Sequence, residues 1–274
     1  MVREVMNKKQ PIRLVIVDLD GTLLNSQHQI SVRSQEALAV LNQKKIPVVI
    51  STGRSLHGTL KIFDFHESSW PHPVSMYNGA MIARGKSTLH EIALKHDIVA
   101  RAIKVSLDHG FSVCLQSKDQ VFIDDPNHQL LRSYNLARFQ PTIVDNLFDV
   151  TARILKVTVL GEPKLVLDFL AQCQQSEYLR DFSVVAGSTN LVDFTAVSAT
   201  KKTSAEWLSF YLGVASEEIM AIGDQSNDLE MIRWAGVGVA MGNAIDAVKE
   251  VANFISKDND ADGVVYALEQ HGLL

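Results

Sequence analysis

The chain has 274 residues, of which 46% are hydrophobic and 21% charged, and its formal net charge at pH 7 is −5. This composition is typical of a globular protein with one large domain or two linked domains, and it excludes the disordered and fibrous classes. Lysine and arginine form no cluster longer than two adjacent residues, so we expect no nucleic-acid partner.

The cysteines and the N-terminal segment indicate the compartment. Cys114 and Cys173 stand far apart in apolar segments, which predicts two buried thiols rather than a disulfide, metal or redox site. Residues 1–11 contain no apolar signal segment, and no later run is long enough to cross a bilayer. We therefore expect a cytoplasmic protein without a membrane partner, and the sequence assigns no oligomeric state.

The N-terminal part predicts a strand–helix–strand unit. RLVIVDL at 13–19 is a short apolar run suited to a buried strand. A helix follows over 31–46, with Ser31 as its N-cap, and PVVISTGR at 47–54 is a second buried strand. This order is typical of a parallel sheet.

The middle of the chain predicts a different architecture. Two helical segments, 97–110 and 163–175, are interspersed with strands, and the strands around 111–125 follow one another closely enough to form a hairpin. The apolar stripe of the second helix is assigned to Leu165, Leu167, Phe169 and Leu170. These features predict an α+β domain with an antiparallel sheet.

The C-terminal part returns to alternating helices and strands. The predicted elements in chain order are helix 201–214, strand 218–224, helix 226–236, strand 237–242, helix 244–252, an extended segment 253–256 and helix 263–272. We therefore predict an α/β protein with a Rossmann-like parallel sheet core formed by 1–82 and 189–274. The α+β domain, 83–188, is inserted into it.

A near-match to a nucleotide-binding P-loop, AMIARGKS at 80–87, is not interpreted as one. Ala80 replaces the first glycine, and the following residues predict a strand instead of the helix that a P-loop needs. We predict a hairpin turn around Arg84-Gly85-Lys86.

Acidic and small polar residues follow the predicted core strands or open a core helix. They are Asp18-Leu19-Asp20-Gly21-Thr22, Ser51-Thr52-Gly53-Arg54, Lys201-Lys202 and Gly223-Asp224-Gln225-Ser226-Asn227-Asp228. Ligands of parallel α/β sheets bind at the carboxyl ends of strands. Any one of these motifs could simply cap a helix, but four in register favour a shared site.

The charge of these motifs predicts a cation. Converging carboxylates repel each other, by about 4 kcal/mol per close pair at an effective dielectric constant near 20. Asp and Asn are hard oxygen ligands, and no Cys or His lies close to them in the sequence, so Mg²⁺ is the expected cofactor. Together with a lysine, the Thr52 hydroxyl and the Gly53 amide, they make a set suited to binding phosphate.

The motifs resemble those of the haloacid dehalogenase superfamily of phosphohydrolases, and within it the Cof-type branch with a type IIB cap. The matching segments are DLDGTLL at 18–24, ISTGR at 50–54, Lys201, GDQSND at 223–228, YNGAMI at 77–82, GVGVAMGNAIDAVKEVANFIS at 236–256 and DADGVVYALE at 260–269. The resemblance implies that 83–188 is a cap domain that sets substrate specificity. It also implies a phosphatase of small phosphorylated metabolites.

The resemblance also implies a role for each motif residue. Asp18 would be the nucleophile that becomes an aspartyl phosphate, and Asp20 would protonate the leaving alcohol and then activate water. The remaining implied roles are phosphate binding by Thr52, Gly53, Lys201 and Asn227, metal binding by Asp18, Asp20 and Asp224, and support from Asp228. The third motif usually reads Lys-Gly, whereas this chain has Lys201-Lys202, so Lys202 stays an alternative to Lys201.

Two other functions are open at this stage. A phosphosugar mutase would use the same core, with several arginines on the inner face of the cap, where the chain offers Arg84, Arg101, Arg132, Arg138, Arg153 and Arg180. The other is a non-catalytic binding protein on the same fold, which the intact acidic motifs disfavour. A polar segment of the cap, 124–128, either faces the substrate or forms a solvated turn.

Overall fold

A computed structural model describes residues 11–60, 62, 70–128, 140–188 and 190–274. By its internal contacts the chain divides into two compact units. The first joins the chain up to Ile50 with Ala205–Leu274, and the second is Ser51–Ser204.

The described strands are β1 (Leu14–Val17), β2 (Val48–Ser51), β3 (Val74–Met76), β4 (Met81–Arg84), β5 (Ser87–Glu91), β6 (Ser112–Gln116), β7 (Val121–Ile123), β8 (Thr142–Ile143), β9 (Lys156–Leu160), β10 (Phe182–Ser188), β11 (Leu191–Ala196), β12 (Ile219–Gly223), β13 (Val237–Ala240) and β14 (Phe254–Ile255). The described α-helices are α1 (Val32–Gln43), α2 (Leu56–Leu60), α3 (His96–Asp108), α4 (Pro163–Gln175), α5 (Lys201–Leu212), α6 (Leu229–Trp234), α7 (Asp246–Val251) and α8 (Gly263–Gln270).

The first unit contains a parallel sheet in the order β14-β13-β12-β1-β2. Every residue of β1, β2 and β12 is buried, which explains why these strands read as continuous apolar runs. Helix α1 begins after Ser31, whose hydroxyl accepts a hydrogen bond from the Ser34 amide at 3.0 Å. The predicted α/β class with a parallel sheet core is confirmed.

In the second unit, helix α2 is followed by three antiparallel strands, β3, β4 and β5. Strands β4 and β5 form a hairpin, and Gly85 at its turn has a φ of 56°. The predicted hairpin at Arg84-Gly85-Lys86 is therefore confirmed, and strand β5 stands where a P-loop would require a helix.

The second unit also contains a six-stranded sheet in the order β10-β11-β9-β6-β7-β8. Its strand pairs are antiparallel except for β7 and β8, which run parallel. One face of the sheet contributes Leu115, Val157, Val159 and Phe194 to a hydrophobic core shared with residues of α3 and α4. The expected mixture of helices and largely antiparallel strands is present in this part of the chain.

The division into units falls at other positions than the predicted domain boundaries. It lies after Ile50 and after Ser204, whereas the sequence placed the boundaries after residues 82 and 188. One contact within the second unit joins a predicted core segment to a predicted cap segment: the Tyr77 hydroxyl donates a hydrogen bond to the Ser117 carbonyl at 3.1 Å. The functional boundaries at 82 and 188 stay a prediction.

The apolar stripe assigned to helix α4 is wrong at two positions. Leu165 and Leu167 are 54% and 57% exposed, while Phe169 is buried and Leu170 partly buried. The buried face runs instead through Val166, Phe169, Leu170 and Cys173. These positions follow the 3, 4 and 7 spacing of one helical face.

Both cysteines are buried free thiols, as predicted. Burial raises the pKa of the Cys173 thiol to about 12 and raises that of Cys114 as well, so both stay protonated at neutral pH. Within the described residues, no helix combines the length and the apolarity that spanning a membrane requires.

Truncation on the two sides of helix α4 should change stability by very different amounts. Phe169→Ala should lower the free energy of unfolding by about 3–5 kcal/mol, because it opens a cavity in the core of the second unit. The matched change Leu167→Ala, on the exposed side, should alter it by less than about 0.5 kcal/mol. Urea denaturation of the two variants measures the difference, and equal effects would contradict the assigned helix face.

Candidate active site

Asp18 directly follows strand β1 of the first unit, and its side chain is buried. Its amide donates to the Ile222 carbonyl at 3.0 Å, and its carbonyl accepts from the Leu23 amide at 3.2 Å. Both bonds fix the backbone at this position. The carboxylate is therefore presented from a rigid strand end rather than from a mobile loop.

The loop after β12 carries the second group of acids. Asp228 accepts two backbone hydrogen bonds through Oδ2, from the amides of Asp224 and Gln225, both at 3.0 Å. Asp224 accepts at Oδ1 from the Thr22 hydroxyl at 2.8 Å and at Oδ2 from the Gln225 side chain at 3.1 Å. Asp228 thus shapes the loop, and Thr22 links the loops after β1 and β12.

Three carboxylates gather at these strand ends. Asp18, Asp224 and Asp228 each offer an oxygen within 4.8 Å of the others, and all three are buried, with exposures of 5%, 2% and 0%. Removing three negative charges from water costs free energy unless positive charge compensates them. Carboxylate oxygens are the donors that Mg²⁺ prefers, so these residues fit that ion.

Gly21 allows the two loops to approach. A Cβ at this position would lie 2.5 Å from Oδ2 of Asp224, and its φ of +75° is also unfavourable for any other residue. Glycine after the Asp18–Asp20 pair therefore serves the close approach of the Asp224 loop.

Asp20 and Asn227 lie in the same loops but outside the three-carboxylate group. Asp20 has a side chain 44% exposed, with Oδ1 3.8 Å from Nδ1 of His28. Asn227 is half-buried in the loop between Asp224 and Asp228. Strand β1 ends at Val17, so the regular alternation of a strand does not extend to Asp20.

The second unit holds the predicted phosphate-binding loop, Thr52–Arg54. Three backbone bonds fix it: the Thr52 amide donates to Ser75, the Tyr77 amide to Arg54 and the Asn78 amide to Thr52, at 2.9–3.1 Å. The Arg54 amide donates to Oγ1 of Thr52 at 3.1 Å. This bond uses a lone pair of the Thr52 hydroxyl oxygen and not its proton, so the proton stays available for donation to another group.

A turn with unusual backbone angles, Tyr77–Gly79, lies beside this loop. Its three residues have φ values of 54°, 55° and 97°, a conformation that is costly for Tyr and less so for Asn. A Cβ on Gly53 would lie 2.9 Å from Oδ1 of Asn78, and a Cβ on Gly79 would lie 2.2 Å from the Thr200 carbonyl. The turn thus lies against Gly53 and against the residue that precedes Lys201.

Lys201 and Lys202 differ in burial. Lys201 is the first residue of α5 and is 1% exposed, whereas Lys202 is half-buried. An ammonium group withdrawn from water requires nearby acceptors or negative charge. Burial therefore favours Lys201 over Lys202 as the lysine of the site.

The six-stranded sheet carries a buried polar network that the sequence reasoning missed. Lys156 donates from Nζ to Oδ2 of Asp193 at 2.8 Å and to the Gly53 carbonyl at 3.0 Å. Thr158 donates to Oδ1 of Asp193 at 2.6 Å and accepts from Nε2 of Gln116 at 2.8 Å. The lysine within the otherwise apolar run ILKVTVLG, residues 154–161, was the available signal, because buried lysines are rare.

The polar cap segment 124–128 divides into two parts. Asp125 accepts the Asn127 amide at 2.8 Å and both are exposed, which is a solvated Asx turn. His128 is buried, with Nε2 3.1 Å from the Val113 carbonyl. Burial lowers the pKa of His128 and so favours its neutral form.

Known proteins resemble this chain over nearly its whole length. Two are from Bacillus subtilis: 5-amino-6-(5-phospho-D-ribitylamino)uracil phosphatase YitU is 28% identical and phosphatase YwpJ 27% identical. Each match covers 94% of this chain and at least 97% of the relative. The solved structure of BT1666 from Bacteroides thetaiotaomicron, one of the phosphatases of the haloalkanoate (HAD) enzyme superfamily, has a TM-score of 0.81 at 26% identity and covers both chains completely.

Residues 15–268 match the haloacid dehalogenase-like hydrolase family. That range includes both ends of the parallel sheet and the whole second unit. The predicted family and the predicted enzyme class are therefore confirmed, and the chain belongs to the haloacid dehalogenase-like hydrolases.

Proposed function

We propose that this chain is a Mg²⁺-dependent phosphatase that hydrolyses small phosphomonoesters, such as sugar phosphates, through an aspartyl phosphate on Asp18. The observation that carries the proposal is the buried group of Asp18, Asp224 and Asp228 in a chain of this hydrolase family. The phosphatase names of the relatives support phosphorylated substrates, and YitU supports a small metabolite among them. Buried free thiols support a cytoplasmic location.

The proposed reaction has two steps. The Asp18 carboxylate attacks phosphorus, the bond to the ester oxygen breaks, and Asp20 gives its proton to the leaving alcohol. Asp20 then takes a proton from a water molecule, which attacks the phosphorus and releases inorganic phosphate from Asp18. The partial exposure of Asp20 suits a group that exchanges protons with substrate and water.

The remaining site residues bind and neutralise charge. Thr52, Gly53 and Lys201 are proposed to bind phosphoryl oxygens, with Asn227 alongside. Asp18, Asp224 and the backbone carbonyl of Asp20 would hold Mg²⁺, which supplies positive charge opposite the carboxylates and the phosphoryl group. Asp228 is proposed to act indirectly, by fixing the backbone at Asp224.

The described arginines of the proposed cap give no support to mutase chemistry. Arg101, Arg153 and Arg180 form ion pairs with Asp181, Glu91 and Glu177, Arg84 is exposed, and Arg132 and Arg138 lie outside the described residues. A mutase would need arginines converging on a sugar bisphosphate intermediate, which has two charged phosphate groups. Arg101, Arg153 and Arg180 instead pair with three different carboxylates.

A panel of phosphorylated metabolites tests the activity together with the nucleophile. We expect the wild-type protein to release inorganic phosphate from at least one sugar phosphate. Asp18→Asn should reduce kcat by at least about 1,000-fold, because it removes the attacking group. Asp246→Asn makes the same chemical change at an exposed position and should leave kcat within about twofold. Phosphate release that survives Asp18→Asn would contradict the mechanism.

Metal dependence has a readout in stability as well as in activity. A chelator should abolish turnover and added Mg²⁺ should restore it. Saturating Mg²⁺ should also raise the Tm of the metal-free protein, by a stabilisation of about 2.7 kcal/mol at 100 times the Kd. Asp224→Asn should remove most of the Tm increase, whereas Glu250→Gln, an exposed change in the same unit, should keep it. Full activity after exhaustive chelation would contradict the proposal.

The two adjacent lysines give a matched pair of substitutions. Lys201→Met should reduce kcat/KM by about 100-fold or more, since it removes a buried charge assigned to the phosphoryl group. Lys202→Met should reduce it by less than about threefold. Circular dichroism and Tm show whether both variants are folded, and the reverse order of kcat/KM effects would assign the role to Lys202.

A further inference from the structure

The buried ion pair of Lys156 and Asp193 ends at the phosphate-binding loop. Lys156 and Asp193 are 6% and 3% exposed. Lys156 has two acceptors, the Asp193 carboxylate and the Gly53 carbonyl. The pair therefore links the six-stranded sheet to the loop that is proposed to hold phosphate, and both partners lie in the second unit.

A network of three polar side chains, Asp193, Thr158 and Gln116, fixes the orientation of Lys156. Thr158 lies opposite Asp193 in the ladder of β9 and β11, and Gln116 lies opposite Lys156 in the ladder of β6 and β9. The hydrogen bonds run in one direction, from Gln116 to Thr158 to Asp193. Both carboxylate oxygens of Asp193 are thus engaged, and the ammonium of Lys156 is held at one position.

The effect of this ammonium on the loop follows from the peptide that it contacts. The Gly53 carbonyl belongs to the same peptide group as the Arg54 amide, and that amide donates to Oγ1 of Thr52. A cation at the carbonyl oxygen polarises the peptide and strengthens its N–H as a donor. The bond to Oγ1 then turns the Thr52 hydroxyl proton away from Arg54, where it can be donated to an anion.

Fold stability gives a poor reason for such a pair. Replacing a buried ion pair by apolar side chains of similar size is often neutral or stabilising, because desolvation opposes the attraction between the charges. On the other face of the same sheet the strand has apolar side chains instead, and Val157 and Val159 pack in the core. The contact of Lys156 with the Gly53 carbonyl therefore indicates that the charged pair acts on the loop rather than on fold stability.

We propose that Lys156, held in place by Asp193, is a positioning residue that orients the Gly53–Arg54 peptide and, through it, the Thr52 hydroxyl for binding a phosphoryl group. The inference rests on the proposed role of the loop in phosphate binding. It adds two residues that lie on neighbouring strands of the six-stranded sheet and act without touching the substrate.

The test separates positioning from folding with a neutral pair. Lys156→Met alone leaves the Asp193 carboxylate buried without its cation and should lower Tm. In the double variant Lys156→Met/Asp193→Asn the charge imbalance is gone, so most of the lost Tm should return. The contact with Gly53 does not return, so kcat/KM for p-nitrophenyl phosphate should stay about 10-fold to 100-fold below wild type. Recovery of wild-type kcat/KM in the double variant would overturn the proposal.

A double-mutant cycle shows whether Lys156 acts through Thr52. In a Thr52→Val background, which lacks the hydroxyl, the change Lys156→Met should reduce kcat/KM by less than about threefold. A full 10-fold to 100-fold further loss would mean that Lys156 acts elsewhere, against the proposal. Asp181→Asn is the control, because it breaks another ion pair of the same unit, with Arg101. It should leave kcat/KM nearly unchanged both in the wild-type protein and in the Thr52→Val background.

Phosphate binding distinguishes this inference from the proposed function. Calorimetry with inorganic phosphate and Mg²⁺ should give a Kd about 10-fold or more weaker for the double variant than for wild type. If wild type binds phosphate with this dependence but hydrolyses no ester, the proposed function fails and the positioning role holds. If wild type hydrolyses esters and the double variant binds phosphate equally well, the positioning role fails alone.

Discussion

Mutual repulsion among three buried carboxylates is the constraint on which the first unit depends. Asp18 and Asp224 directly follow the adjacent parallel strands β1 and β12, whose ladder fixes their spacing, and Asp228 lies further along the loop after β12, at the start of α6. Like charges on unrestrained loops would separate by moving into water, where each is better solvated. The strand ends at Asp18 and Asp224 and the two amide hydrogen bonds to Asp228 therefore keep the group assembled. A divalent cation is the compensation that suits oxygen donors.

Small and hydroxyl residues around the carboxylates make this crowding possible. Glycine at 21 lets the first loop pass the Asp224 carboxylate, and Thr22 donates to it. Glycine at 223 serves the same purpose for Asp228, since a Cβ there would lie 2.4 Å from its carboxyl carbon. Close contacts with the carboxylates of Asp224 and Asp228 thus explain why glycine and threonine occupy these motif positions.

Much of the fold was predictable because its signals are local. Continuous apolar runs predicted β1, β2 and β12, and the missing helix after Lys86 predicted the hairpin of β4 and β5. The stripe on α4 was misassigned because it followed the leucines and not the helical period. The period places Val166 and Cys173 on the buried face and Leu165 and Leu167 on the exposed face. Residue type alone does not determine which face of a helix is buried.

The acidic group was predictable for the same reason, because each acid follows an apolar strand. The close approach of the Asp228 side chain to Asp18 and Asp224 was not predictable, because it depends on how the loop after β12 folds. The metal role of Asp20 and the supporting role of Asp228 stay predictions. The Lys156 network was missed since it depends on cross-strand register. Asp193 lies opposite Thr158 only because β11 pairs with β9, and that pairing joins strands about thirty residues apart. A buried lysine in an apolar strand signals a partner without identifying it, so the link from Lys156 to Gly53 required the three-dimensional structure.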